Sequence, residues 1–274
     1  MKKLLIASLV LLAVAGCNRN KYPKNSVLIS TKYGDMVVKL YDETPKHRDN
    51  FLKLVKEKYY DGTLFHRVIH EFMIQGGDPD SRKASQGQVL GEGGPGYDIP
   101  AEFNPTLIHK KGVIAAAREG DEVNPQKASS GSQFYIVQGK AYTDSELTQL
   151  EEKINQRNLM RFFDQFLQKP ENAAYRAKLT EYRTKNDSVS YIKLVNELQP
   201  MVESEFAKTK PFKFTDQQRK IYTTVGGTPF LDGNYTVFGE VIKGLEVLDK
   251  IAAVKTDENN RPTEDIKMTV TILK

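Results

Sequence analysis

Phe65-His66-Arg67-Val68-Ile69-His70-Glu71-Phe72-Met73-Ile74-Gln75-Gly76-Gly77-Asp78 is the run on which the reading of this 274-residue chain turns. In an extended strand, side chains two apart face the same way, so Arg67, Ile69 and Glu71 share one side, as do Met73 and Gln75. A break or bend near His70 and Glu71 brings Arg67, Phe72, Met73 and Gln75 onto one patch. A guanidinium held by an amide against a dry wall of Phe and Met is a binding site without a nucleophile. The same run also reads as a buried strand with one satisfied arginine, and by itself it does not separate the two.

Two further stretches follow in order: Ser130-Gly131-Ser132-Gln133-Phe134-Tyr135-Ile136-Val137, and Phe230-Leu231-Asp232-Gly233-Asn234-Tyr235-Thr236-Val237-Phe238-Gly239-Glu240-Val241. Together the three resemble the signatures of the cyclophilin family of peptidyl-prolyl isomerases, whose usual form has Pro-Gly where this chain has His70-Glu71. The resemblance covers about 26–141 and 226–274. It implies a mainly β fold, a closed eight-stranded antiparallel barrel capped by helices; the stretch between, read below as an inserted α-helical segment, has no counterpart in the family. The resemblance further implies an isomerase that needs no cofactor and acts on proline-containing unfolded or flexible polypeptides.

The chemistry suits such an inventory. Rotation about an X-Pro bond is slow because amide resonance sets a barrier of about 18 to 20 kcal/mol, and no bond has to break to lower it. A catalyst need only favour the twisted amide, whose prolyl nitrogen gains a lone pair that the planar ground state scarcely offers. Arg67 is the candidate donor to that nitrogen, and Gln75 its orienting partner. By resemblance, Phe72, Met73, Tyr135 and Leu231 line a slot for the proline ring. Ala117, Arg118 and Gln133 form the substrate ledge, where main-chain groups reach the peptide, and Phe230 and Tyr235 stand at the edge. In the slot and at its edge three residues depart from the family pattern: Tyr135 replaces the usual Phe and puts a hydroxyl at the pocket floor, Phe230 stands where many members have Trp, and Tyr235 where many have His. The second leaves affinity for cyclosporin, the family's inhibitor, open. Arg118 replaces the usual Asn and adds a charge at the rim.

The chain begins with Lys2 and Lys3, a largely apolar run from Leu4 to Ala15, and small residues before Cys17. Twelve positions are too few to span a hydrocarbon core that needs about 20. Residues 1–16 therefore read as a signal peptide. Val14-Ala15-Gly16-Cys17 resembles the bacterial lipobox, in which cleavage leaves the cysteine as a lipidated N-terminus. The other reading is an ordinary signal peptide with an incidental cysteine. Cys17 is the single cysteine of the chain, so it has no intramolecular disulfide partner. Residues 17–26 then form a lipidated tether. The implied address is a bacterial cell envelope, membrane-anchored and facing the periplasm.

Residues 27–142 and 223–274 read as the barrel. Val27–Ile29 and Met36–Leu40 flank Lys32-Tyr33-Gly34-Asp35 as a hairpin, and Phe51, Leu52 and Val55 recur at helical spacing after Pro45. Val237, Gly239 and Val241, then Ile266, Met268, Val270 and Ile272, alternate as closing strands around a helix near Leu245–Ala253. Residues 143–222 change character. Leu159, Phe162, Phe163, Phe166 and Leu167, then Tyr191, Leu194, Val195 and Leu198, mark amphipathic helices. Thr143 with Glu146, and Thr215 with Gln218, look like capping boxes, and Pro170, Pro200 and Pro211 punctuate the segment. Three or four helices are expected, either a self-contained appendage or an arm that holds clients beside the pocket.

Other chemistries lack their residues. Formal net charge is +5, two units of it from Lys2 and Lys3, and no long Lys or Arg run supports nucleic-acid binding. Gly91–Gly96 fits G-x-G-x-x-G, but Pro95 interrupts it and no helix start follows for a pyrophosphate. His66 and His70 are four apart on a strand entering a loop, a spacing that aligns metal ligands only on a helix. There is no H-E-x-x-H and no G-x-S-x-G. Two alternatives to the enzyme remain: a proline-binding chaperone or adaptor whose catalysis has faded, and a structural scaffold in which Glu71 engages Arg67.

Overall fold

The computed structural model describes residues 21–274, so the expected signal peptide, the expected lipobox with Cys17 and the first part of the expected tether lie outside the described residues. Strands β1 (Ser26–Thr31) and β2 (Gly34–Leu40) form the expected hairpin, with Gly34 at a φ of 127° in its turn. Helix α1 (Pro45–Lys56) starts on Pro45 and buries Phe51, Leu54 and Val55. A second hairpin follows, β3 (Phe65–Ile69) and β4 (Met73–Gly76), then β5 (Asp98–Ile99), β6 (Val113–Ala116), β7 (Ser129–Ser130) and β8 (Phe134–Val137). Four helices come next: α2 (Asp144–Gln168), α3 (Ala173–Thr184), α4 (Ser188–Phe206) and α5 (Asp216–Thr224). The chain returns through β9 (Val237–Lys243), α6 (Leu245–Ala252) and β10 (Thr269–Ile272).

Eight strands make one antiparallel, strongly curled sheet in the order β10-β1-β2-β9-β6-β8-β4-β3. The fold is mainly β with helices, but the expected closed barrel is corrected to an open one. The end strands β3 and β10 share no ladder; their flanks meet at a single bridge, Leu64 to Lys267, and at bonds such as Phe65 N–H to Ile266 O (2.9 Å). The stretch leading into β10 carries Pro262, which has no N–H to give a ladder, and it runs irregularly past β3.

Strand alternation sorts the side chains onto two faces. The concave face holds the main core: Val27, Ile29, Met36, Val38, Ile74, Ile114, Phe134, Ile136 and Phe238, sealed by Phe51 of α1 and Leu248 and Ile251 of α6. The opposite parity of β4, β6, β8 and β9 forms a second cluster of Met73, Val113, Ala115, Tyr135, Val137 and Val237, which leaves Phe72, Ala117, Leu231 and Tyr235 partly open. The site occupies this outer face.

Both capping boxes are present, on α2 at Thr143 with Glu146 and on α5 at Thr215 with Gln218. Phe166, Leu179, Leu194, Leu198 and Val202 give α2, α3 and α4 a core of their own. Pro200 does not punctuate this segment as expected but lies inside α4, where Leu198 and Val202 on either side are buried and hold the helix through the missing bond. The helical excursion leaves and re-enters the sheet at one point. A Cβ on Gly139 would collide with the Gly227 backbone, and Gly227 bridges both Lys110 and Lys140.

Candidate active site

A single row of cross-strand neighbours carries the site: Arg67 opposite Gln75, Gln75 opposite Tyr135, Tyr135 opposite Ala115, and Ala115 opposite Val237. Regular alternation would set Arg67 on the same face as Phe65, which is a core residue. A bulge between them takes up His66 as the extra residue and turns Arg67 outward. The β3–β4 turn is tight, with Glu71 at a φ of 58° and its N–H donating to Gln138 Oε1 at 2.7 Å. Glu71 adopts this left-handed backbone in place of the family's usual glycine, and Gln138 supplies part of what holds it there.

A directed chain of amides fixes the guanidinium. Arg67 Nη1 donates to Gln75 Oε1 at 3.2 Å, Gln75 Nε2 to Gln133 Oε1 at 3.0 Å, and Gln133 Nε2 to the carbonyls of Gly91 and Gly93 at 2.7 and 2.8 Å. Arg67 is about half-buried, and burial lowers its pKa from the usual guanidinium value. Among the described residues no carboxylate pairs with it, so the scaffold reading, which needs Glu71 on Arg67, finds no contact here.

Arg67, Phe72, Met73, Gln75, Ala117, Arg118, Tyr135, Leu231 and Tyr235 line one cavity of about 260 Å³. Gln133 lines an adjoining cavity of about 620 Å³ that shares Gln75, Ala117 and Arg118 with the first. Phe230 lies outside both linings, its ring 5.7 Å from that of Phe72. The Tyr135 hydroxyl, expected at the pocket floor, lies instead 3.0 Å from His109 Nε2, a fully buried ring that is not part of the cavity lining. Nor is Arg118 a free charge. Its guanidinium stacks 4.6 Å from the Tyr235 ring, pairs with Asp121 at 2.7 Å and donates to the Asn234 carbonyl. Ala117 spends its N–H and C=O on Gln133 and Ser130, whereas the N–H and C=O of Arg118 have no partner among the described residues.

The cyclophilin type peptidyl-prolyl cis-trans isomerase family model matches residues 26–156 and 205–272. The chain belongs to this family. A provisionally named peptidyl-prolyl cis-trans isomerase of Staphylococcus saprophyticus is 30% identical over 241 residues, covering 88% of this chain and 87% of its own length. A provisionally named bifunctional phosphatase/peptidyl-prolyl cis-trans isomerase of Streptococcus pyogenes is 30% identical over 243 residues, and the match spans 37% of its length. The crystal structure of a Cryptosporidium parvum cyclophilin type isomerase aligns with a TM-score of 0.53 over 91% of this chain and 97% of that one, at 22% identity. That likeness establishes the cyclophilin-like fold. As a member of this family the chain is a peptidyl-prolyl isomerase, an enzyme that rotates X-Pro bonds.

Several residues of this candidate site escaped the sequence reading. His66, Leu90, Gly91 and Glu92 complete the lining of the smaller cavity. His66 is buried with neither ring nitrogen partnered, and burial pushes its pKa down to about 4. The Phe65-His66-Arg67 run held the signal, but only the bulge shows that His66 turns inward. His109 and Asp232 carry no local motif that would join them.

Proposed function

We propose that this protein is a prolyl isomerase of the cell envelope in which Arg67 is the catalytic donor, Gln75 holds it, and the smaller cavity takes the proline ring. The observation that carries the assignment is a guanidinium tied to Gln75, with no carboxylate partner among the described residues, at the wall of a cavity lined by Phe72, Met73, Tyr135 and Leu231. A preorganised donor in a largely desolvated site contributes about 3 to 4 kcal/mol when the charge it meets develops only in the transition state. The apolar wall needs no proton transfer, and the unpaired N–H and C=O of Arg118 suit an extended backbone laid along the ledge. Flexible proline-containing polypeptides fit these requirements. Titration of an Ala-Pro peptide, followed by amide chemical shifts, tests the placement. Shifts at Arg67, Gln75, Arg118 and Leu231 are expected, and shifts confined to another face would contradict it.

The envelope address rests on residues 1–17 of the sequence. Labelling with a palmitate analogue should mark the wild type and leave it with membranes, while Cys17→Ser should lose both label and membrane. A Cys17→Ser protein that keeps the label would rule out the anchor.

A further inference from the structure

Behind the floor of the cleft runs a line of buried polar groups that the isomerase chemistry does not use. The Tyr222 hydroxyl donates to Asp232 Oδ2 at 2.6 Å. Asp232 Oδ1 accepts from the His109 backbone N–H at 2.8 Å and lies 2.9 Å from His109 Nδ1, while His109 Nε2 lies 3.0 Å from the Tyr135 hydroxyl. A carboxylate only accepts, so Nδ1 carries a hydrogen; in the neutral imidazole Nε2 is then the acceptor and Tyr135 donates. Burial raises the pKa of both phenols, which keeps each of them a donor. Tyr135, His109 and Tyr222 are all buried, and their order is fixed from end to end.

Three of the four groups lie in the sheet or its loops, but Tyr222 belongs to α5, the last helix of the excursion between β8 and β9. Its ring packs with Ile108, Leu147 and Phe214, and so ties the root of α2 to the residue preceding His109. Asp232 directly follows Leu231, a wall of the proline slot. The excursion is therefore joined through hydrogen bonds to Asp232, next to Leu231 in the chain, and onward through His109 to Tyr135.

We propose that Tyr222 is a positioning residue of the isomerase site: through Asp232 and His109 the inserted helices hold the Tyr135 ring that floors the proline slot. This rests on the assignment of Tyr135 to that slot. An unheld phenol would leave Asp232 and His109 with unmet groups and give the ring another place for its hydroxyl, the slot itself.

Tyr222→Phe removes one hydroxyl and tests the proposal. Isomerisation of an Ala-Pro peptide, followed by exchange NMR, should lose about fivefold in kcat/KM, equivalent to one net hydrogen bond. In a Tyr135→Phe background, where the line is already cut at its far end, adding Tyr222→Phe should change kcat/KM no further. An equal loss in both backgrounds, or no loss when Tyr222→Phe is made in the otherwise wild-type protein, overturns the proposal. Imidazole nitrogen shifts of the wild type provide an independent test should Tyr222→Phe fail to fold. His109 must show a protonated Nδ1 and a bare Nε2; a protonated Nε2 breaks the line. A wild type whose turnover depends on Arg67 while the coupling fails refutes the positioning role alone, whereas turnover indifferent to Arg67 refutes the site reading beneath it.

Discussion

Replacing His66 by Leu should flatten the acid limb of the stability curve. The imidazole is buried and both its nitrogens lack partners, so little is lost in hydrogen bonding when it is removed. Burial depresses its pKa from 6.5 to about 4, and neither the charge of Asp78 nor the Leu64 carbonyl offsets that shift. Between these two values the unfolded chain takes up a proton that the native chain refuses. Stability therefore rises with pH across the window and falls on acidification, by about 1.4 kcal/mol per pH unit for one such group. Integrated from pH 6.5 down to 4, the loss attributable to His66 is roughly 3 kcal/mol. Burial also lowers the pKa of His47 against the pull of Glu102, so the wild-type curve has a second contributor. The difference between wild type and His66→Leu isolates the first. Urea unfolding at a series of pH values from 7 to 4 gives that difference directly. Curves that remain parallel across the window would refute the reasoning, since they would mean that His66 binds its proton equally in both states.

Three other outcomes follow from the geometry. Gln75→Leu strips the acceptor from Arg67 and the donor from Gln133, and should lower kcat/KM roughly tenfold to a hundredfold, the range of one charge-assisted hydrogen bond; exchange NMR on an Ala-Pro peptide would expose an unchanged rate. Glu71→Gly relieves a left-handed backbone and should stabilise the protein by about 0.5 to 1 kcal/mol in chemical unfolding, provided the N–H bond to Gln138 is kept. Gly227→Ala sets a Cβ against the His109 carbonyl and the Tyr222 ring at a φ of 154° and should cost more than about 2 kcal/mol, visible as a fall in Tm.

The parts of this molecule that the sequence disclosed are those written in neighbouring residues. Pro45 at a helix start, the Thr143 and Thr215 capping boxes and the hairpin around Gly34 are each set within a few residues. The convergence of Arg67, Phe72, Met73 and Gln75 was legible because a hairpin folds one short stretch upon itself. The curl of the sheet was legible too, but not its failure to close, because that depends on how the irregular approach to β10 runs past β3. Pro200 misled because local chemistry argues for a break while burial of Leu198 and Val202 argues for continuity, and packing prevailed. The destination of the Tyr135 hydroxyl was hidden for a different reason. Its partner His109 and the supporting Asp232 and Tyr222 lie 26 residues or more away in the chain, with no periodicity to link them. Likewise the bulge at His66 is a property of the β3–β4 register, which no single strand contains.

The most direct measurement is the rate of cis-trans exchange of an X-Pro peptide in the presence of wild type and of Arg67→Ala at equal concentration. Loss of a preorganised donor worth about 3 to 4 kcal/mol predicts a fall of roughly 10² to 10³ in kcat/KM for the variant, with the fold intact by circular dichroism. A folded Arg67→Ala protein that catalyses exchange as fast as the wild type would contradict the account.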